Sequence, residues 1–340
     1  MSRAITVIDV GGTHMRWASW SPDTGLGGRQ SSPTPSFRRH AELPVPQLQE
    51  LLVDAICKAT PRKKDAVVGM SFGAAINHLN GMVYASAPLW GAHDAPFDLM
   101  GALSRKRPDV EWHVVNDVTA ALLHVASLPL CALDRKVMLI TISTGIAART
   151  IYRETLRIPF DPCGLQGEIG HLPATATIRG EPVVLNCDCE EPGHLSAYAS
   201  GRGIARMAQV LQTRQPQDWA DSDLGRRLAA GESLEDAFKS AVVAQDSIAA
   251  TLLDAVVAPI ADVLRTTLCL APDLDRIILT GGVAVALGQH YQAAILSRLN
   301  RQGIYLTSKY HPQWLADRIS IFDADCLIGA GIAAMREIDQ

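Results

Sequence analysis

The chain has 340 residues, 48% of them hydrophobic, and 31 basic against 35 acidic side chains give a net charge of −4. That is enough apolar material for one large domain or two medium lobes, and the mixed, slightly acidic charge excludes a dedicated nucleic-acid surface. The start, MSRAITVIDVGG, lacks the apolar core of a signal peptide, and no unbroken apolar run approaches the roughly 18 residues of a membrane span. A cytoplasmic chain with no membrane partner is expected. Cys57, Cys131, Cys163, Cys269 and Cys326 follow no framework spacing, which fits a reducing compartment with thiols free or metal-bound.

Residues 4–8 are predicted as a short apolar strand ending at Asp9-Val10-Gly11-Gly12-Thr13, and residues 14–20 alternate polar and apolar like the return strand of a hairpin. Residues 21–45, rich in Ser, Pro and Gly, read as loop. Residues 46–59 have helical periodicity, with Pro46 in the first turn, where no N–H is needed. Strands follow at 66–70 and at Val114-Val115, then Asn116-Asp117 and a helix over 119–126. A strand at 136–142 ends at Ser143-Thr144-Gly145, and residues 147–152 continue as strand. This strand, turn, strand pattern repeats the first and suggests an internal duplication. Ile248, Leu252, Val256, Ile260, Leu264 and Leu268 form a buried helical stripe, which Pro259 should kink or divide. Residues 277–282 read as a strand running into Gly281-Gly282, and a last helix near Cys326 carries Gly329-Ala330-Gly331, small enough for close packing.

Three of these turns have phosphate chemistry. Glycines bend the backbone tightly and present N–H groups to an anion, a Thr adds a donor, and a carboxylate such as Asp9 can hold hydrated Mg²⁺. A plain Gly-Gly hairpin turn is the alternative. Asn116-Asp117 is either a helix cap, which spacing alone favours, or a general base beside a hydrogen-bonding amide. Gly167-Glu168-Ile169-Gly170-His171 sets a carboxylate three residues from an imidazole. His171, Cys187, Cys189 and His194 are donors suited to tetrahedral Zn²⁺, at a spacing that is not that of a standard finger; ordinary thiols remain the other reading.

In this order, the elements resemble the ROK family of sugar kinases and related repressors. The resemblance implies an α/β chain with the two-lobed actin-like ATPase (ribonuclease H-like) fold and internal duplication. One lobe would comprise 1–118 plus about 325–340 and the other 119–324. It implies an ATP-dependent kinase acting on the primary hydroxyl of a hexose or hexose-like substrate, with Mg²⁺ and a structural Zn²⁺ as cofactors, and a homodimer. Asp9, Gly11, Gly12 and Thr13 match the first phosphate motif, Ser143, Thr144 and Gly145 the second, and Gly281 and Gly282 the nucleotide loop. Asn116 and Asp117 match the substrate amide and the catalytic base. Residues 69–73 and 85–88 resemble sugar-side loops, so Ala74 and Ala87 join Glu168, His171 and Ser196 as expected substrate contacts. His171, Cys187, Cys189 and His194 would hold the zinc.

The departures carry information. His194 replaces the family's third Cys, and Ser196 replaces a Glu that contacts the sugar near C1 and C2. A hydroxyl cannot supply that charge or reach, so a cyclitol, an amino sugar or another modified hexose is expected; an ordinary glucokinase or N-acetylhexosamine kinase is the alternative. The glycines that usually follow the second phosphate motif are Ala147, Ala148 and Arg149, and Arg149 is open to pairing with a phosphate or facing solvent. Gly73-Ala74-Ala75 stands in place of the usual Pro-Gly of the first sugar loop. A sensor with a DNA-binding segment before the first motif would need room that residue 9 does not leave.

Overall fold

Runs of apolar residues with few polar interruptions are what strands covered on both faces require. In the computed structural model, which describes residues 4–77, 79–93, 95–161 and 167–338, three such runs form the parallel centre of a five-stranded sheet. Its order is Gly25–Pro33, His14–Ser21, Ile5–Val10, Ala66–Phe72, Val110–Asn116. The first two pairings are antiparallel and the last two parallel. Side chains alternate between its faces. Ile8, Val10, Val68 and Met70 pack with Leu48, Leu52 and Ile56 of the helix Val45–Ala59 and with Leu99 and Leu103 of Leu99–Lys106. Ile5, Val7 and Val67 pack instead with Leu327 and Ala334 of the C-terminal helix Cys326–Ile338. Small residues let that helix approach, as expected: a Cβ on Gly329 would lie 1.7 Å from the Ala120 carbonyl oxygen, and one on Gly69 would lie 2.2 Å from that of Ala330.

A second sheet has the order Ile146–Tyr152, Lys136–Ile142, Arg276–Thr280, Ile319–Ile321. It too sets an antiparallel hairpin beside parallel strands, which is the duplication expected. Its core is built around Ser247–Leu270, with Gly201–Arg214, Leu234–Val243 and Gly282–Gln302 packed nearby.

The chain divides into two compact units. Among the described residues one takes those within Met1–Ala132, Ile158–Gln166 and Ala324–Gln340, the other those within Leu133–Arg157 and Gly167–Asp323. The first break follows Ala132 rather than residue 118, because the helix Asp117–Ala126 packs on Cys326–Ile338 and on Ala66–Phe72.

Three local expectations differ from the structure. Residues 25–33, read as loop, form an edge strand that needs only backbone bonds to His14–Ser21 and is largely exposed. Ser247–Leu270 runs through Pro259 as one helix, with Pro259 itself buried. Interior proline costs a helix about 3 kcal/mol, and burial of its long apolar stripe against neighbouring elements offsets that. The same helix is long and apolar enough to cross a membrane by length and composition, with 67% of its apolar window buried; Asp254 and Asp262 interrupt the apolar run and hide it from a count of consecutive residues. Cys163 lies outside the described residues.

Candidate active site

In the first unit, strand register builds a cluster around Asp9. It pairs with Arg16 across the hairpin and with Ser71 on the parallel side, so both side chains flank it. Asp9 Oδ2 accepts from Arg16 Nε at 3.1 Å and Nη2 at 2.5 Å, and Oδ1 accepts from Ser71 Oγ at 2.8 Å. The guanidinium fork and the Ser71 hydroxyl fix the orientation of this buried carboxylate. The following turn is closed by the Gly11 N–H bonding to the His14 carbonyl at 3.1 Å. A Cβ on Gly12 would lie 2.4 Å from that of Pro88, so only glycine lets the 85–88 loop pack against this turn.

Asn116 ends the strand and caps the helix Asp117–Ala126. Its Oδ1 accepts from the N–H groups of Val118 (2.9 Å) and Thr119 (3.4 Å), while Nδ2 donates to the Ala74 carbonyl at 2.8 Å. The cap reading of this dipeptide therefore belongs to Asn116. Asp117 stands at the first helical position, half-buried, with Oδ1 on the Val118 N–H at 2.9 Å. Its Oδ2 lies 3.6 Å from where a Gly73 Cβ would sit, and the Gly11 Cα is 4.0 Å from the same point. Asp117 Oδ2 thus lies beside Gly73, the glycine that Gly11 also adjoins. The Cys326 thiol donates to the Asp117 carbonyl at 3.5 Å. Burial, then the Asp9 and Asp117 carboxylates, push that thiol well above its usual range and keep it neutral. Ala74 is buried beneath the Asn116 amide, and Ala87 is exposed at the start of a short helix.

In the second unit, Ser143, Thr144 and Gly282 help line a cavity of about 420 Å³. It is lined as well by Gly201, Ile204, Ala205, Phe238, Val283 and Leu287, and by Glu235. A mainly apolar cavity with a few hydroxyl and glycine positions suits a heterocycle carrying an anionic tail. Gly281 has φ +92°, and a Cβ there would lie 2.6 Å from the Ile142 carbonyl oxygen. Gly282 opens the helical segment Gly282–Gln302, which is broken at Gly288 with φ +50°; N–H groups at such a start favour phosphate. Gly145 closes the other turn, its carbonyl accepting from the Ser143 N–H at 2.9 Å.

The Gly167–His171 loop is tied to the strand Ile146–Tyr152 by the Ala148 N–H bonding to the Gly167 carbonyl at 2.8 Å. Gly167 has φ +60°, and a Cβ on Gly170 would lie 2.3 Å from Ser196 Oγ. Glu168, Ser196 and the strand therefore adjoin. Arg149 does not face solvent, as one expectation had it: its side chain is 5% exposed, Nη1 donates to the Ala148 carbonyl at 2.8 Å, and Nη2 lies 3.5 Å from Glu168 Oε1.

Beyond this loop, one donor atom each from His171, Cys187, Cys189 and His194 lie within 4.8 Å of one another. Cys189 Sγ is 3.2 Å from His194 Nδ1, and Cys187 Sγ is 4.0 Å from His171 Nδ1. Ligands of a tetrahedral Zn²⁺ sit about 3.3–3.8 Å apart; the four donors fit that ion in number and type, with separations of up to 4.8 Å. Burial raises the Cys187 thiol above its ordinary range, and a bound cation would reverse that. Asp188, paired with Arg202 at 2.7 Å and with Arg206, pins the loop to Gly201–Arg214.

Sequence reasoning placed the turns, the Asn-Asp pair, the GEIGH loop and the Cys/His cluster, and within each unit the structure gathers those that belong to it. It missed the cavity walls, because Ile204, Phe238 and Leu287 look like any apolar helix face. It also missed Arg16 and Ser71. The pairing of Arg16 with Asp9 was available from the turn length.

Over residues 5–332 the sequence matches the ROK family, and this protein belongs to it. A 2-epi-5-epi-valiolone 7-kinase from Actinoplanes sp. is 53% identical over 335 residues, covering 97% of this chain and 92% of that one. A C(7)-cyclitol 7-kinase from Streptomyces hygroscopicus subsp. jinggangensis is 29% identical, covering 98% and 94%. Among solved structures, a ROK family glucokinase from Streptomyces griseus in complex with glucose and AMPPNP superposes with a TM-score of 0.70 over 99% of both chains at 19% identity. That likeness shows the fold, the two-lobed actin-like ATPase architecture.

Proposed function

We propose that this protein is a cytoplasmic ATP-dependent kinase that phosphorylates the primary hydroxyl of a C7-cyclitol of the valiolone type. The observation that carries the reading is the 53% identity, along 97% of the chain, to a 2-epi-5-epi-valiolone 7-kinase. Ser196 supports it chemically. A ring ketone accepts hydrogen bonds and donates none, and a hydroxyl can donate to it where a carboxylate cannot.

Asp117 accepts the proton of the attacking carbinol as its oxygen bonds to the γ-phosphorus and the bond to ADP breaks. Asn116, Glu168, His171, Ser196 and the backbone at Ala74 and Ala87 hold the rest of the ring. The base occupies the 420 Å³ cavity, and Ser143, Thr144, Gly145, Gly281 and Gly282 supply donors toward the phosphates. Gly11, Gly12 and Thr13 do the same from the first turn. Asp9, oriented by Arg16 and Ser71, would hold Mg²⁺ through its waters; that ion would neutralise charge on the phosphates. His171, Cys187, Cys189 and His194 would hold a structural Zn²⁺, leaving the second imidazole nitrogen of His171 for a substrate hydroxyl.

The test is a coupled ADP-release screen across C7-cyclitols, glucose, N-acetylhexosamines and amino sugars. The expected kcat/KM for a valiolone-type cyclitol exceeds that for glucose by about 10²-fold or more, the discrimination of a site with matched polar groups. Equal or better turnover of glucose would overturn the substrate assignment and favour an ordinary glucokinase.

A further inference from the structure

The helix Val45–Ala59 covers only part of the sheet face beneath it. Thr60, which precedes Pro61, is extended at φ −85° and ψ 132°, as the proline ring requires, and the helix stops there. Strand register puts Trp17 and Gln30 in one row with Ile8, and Met15 and Ser32 in one row with Val10. Paired residues share a face, so the face that meets the helix at Ile8 and Val10 continues outward over His14–Ser21 and Gly25–Pro33. There it borders a cavity of about 870 Å³, within the range of ligand pockets. Trp17, half-buried, lines it together with Gln30 and Ser32.

The helix end and the turn after it bring Lys58 and Arg62 to the same cavity. Its lining holds these two cations and no carboxylate, in a chain of net charge −4. Among the described residues neither side chain has an ion pair or a hydrogen bond, and the Gln30 amide and Ser32 hydroxyl are likewise without partners. Asp54, four residues before Lys58 and so placed to pair with it along the helix, pairs with Lys106 instead. The C-terminal end of a helix carries about half a negative charge, which two full positive charges outweigh. The charge of the lining therefore selects an anion. The indole and the uncharged polar groups beside it select a ring that carries hydroxyls.

We propose that this cavity is a second ligand site, for a phosphate monoester of a sugar-like polyol: Lys58 and Arg62 take the phosphate, Gln30 and Ser32 the hydroxyls, and Trp17 one face of the ring. None of these residues belongs to the substrate or nucleotide sites assigned above, so the proposal stands apart from which substrate the kinase prefers.

Calorimetric titration of the full chain with glucose 6-phosphate tests this. AMPPNP, Mg²⁺ and the preferred substrate are held at saturation so that the kinase site is filled. Wild type is compared with Lys58→Gln/Arg62→Gln and with Gln30→Glu, which sets a carboxylate in the cavity. Wild type should bind one glucose 6-phosphate per chain, at least about tenfold more tightly than inorganic phosphate or glucose. Each variant should lose about tenfold or more, the scale of a hydrogen bond to a charged group. All three substituted positions are exposed, so kcat without the probe should stay at the wild-type value. The Trp17 indole N–H resonance, assigned from Trp17→Phe, should shift on binding in wild type. No binding to wild type, or equal binding to all three proteins, overturns the proposal. So does binding without a Trp17 shift, which places the ester elsewhere. Inorganic phosphate that binds as tightly as the ester overturns it too, because the cavity would then recognise charge alone.

Discussion

Asn116 and Asp117 are adjacent residues with separable jobs. Asn116 satisfies the first N–H groups of the helix Asp117–Ala126 and clamps the Ala74 carbonyl. Its neighbour has Oδ2 beside Gly73. Asp117→Asn should therefore leave the helix and the cyclitol KM nearly unchanged and lower kcat by about 10²–10⁴-fold, the usual worth of base assistance; unchanged kcat would remove Asp117 from the base role. Sequence alone posed cap against base as alternatives for the dipeptide, and the structure assigns the cap to one residue. It could not place Arg149, because a lone Arg after a phosphate motif reads equally as a ligand or as a surface charge. The deciding fact, burial beside Glu168, depends on a loop nearly twenty residues further on.

Among the elements, those with a strong period were legible. The strand at 136–142 and the helix beginning near Cys326 fall where the pattern put them, since their apolar faces are what the core selects. The strand Gly25–Pro33 was not legible. GLGGRQSSP has no apolar face, and only backbone pairing with His14–Ser21 makes it a strand. Nor does the stripe in Ser247–Leu270 reveal that packing carries it through Pro259. The Cys/His loop was legible by composition, and the fold brings its four donor atoms within 4.8 Å of one another. With Glu190 at φ +73° within it, the loop carries backbone strain that a bound cation would help offset. Purified protein should contain about one zinc per chain, and Cys189→Ser should lose it with a lowered Tm. Metal analysis showing none, with Cys189→Ser as stable as wild type, would return the four side chains to ordinary thiols and imidazoles.

At the level of the whole molecule, each unit sets an antiparallel hairpin beside parallel strands, and each hairpin turn carries small or hydroxyl residues at the strand ends. The chemistry divides accordingly. Under the proposed function the first unit supplies Asp9 and Asp117, and the second supplies the apolar cavity, the Gly167–His171 loop and the Cys/His cluster. Identity to a valiolone 7-kinase along nearly the whole chain is the ground on which a cyclitol is proposed as the substrate. The most direct test is to incubate the purified protein with ATP, Mg²⁺ and 2-epi-5-epi-valiolone, and to locate the phosphate in the product by phosphorus–proton NMR. The account predicts a single monophosphate ester on the exocyclic carbinol, formed in step with ADP. ADP release without a phosphorylated cyclitol, or an ester on a ring hydroxyl, would contradict it.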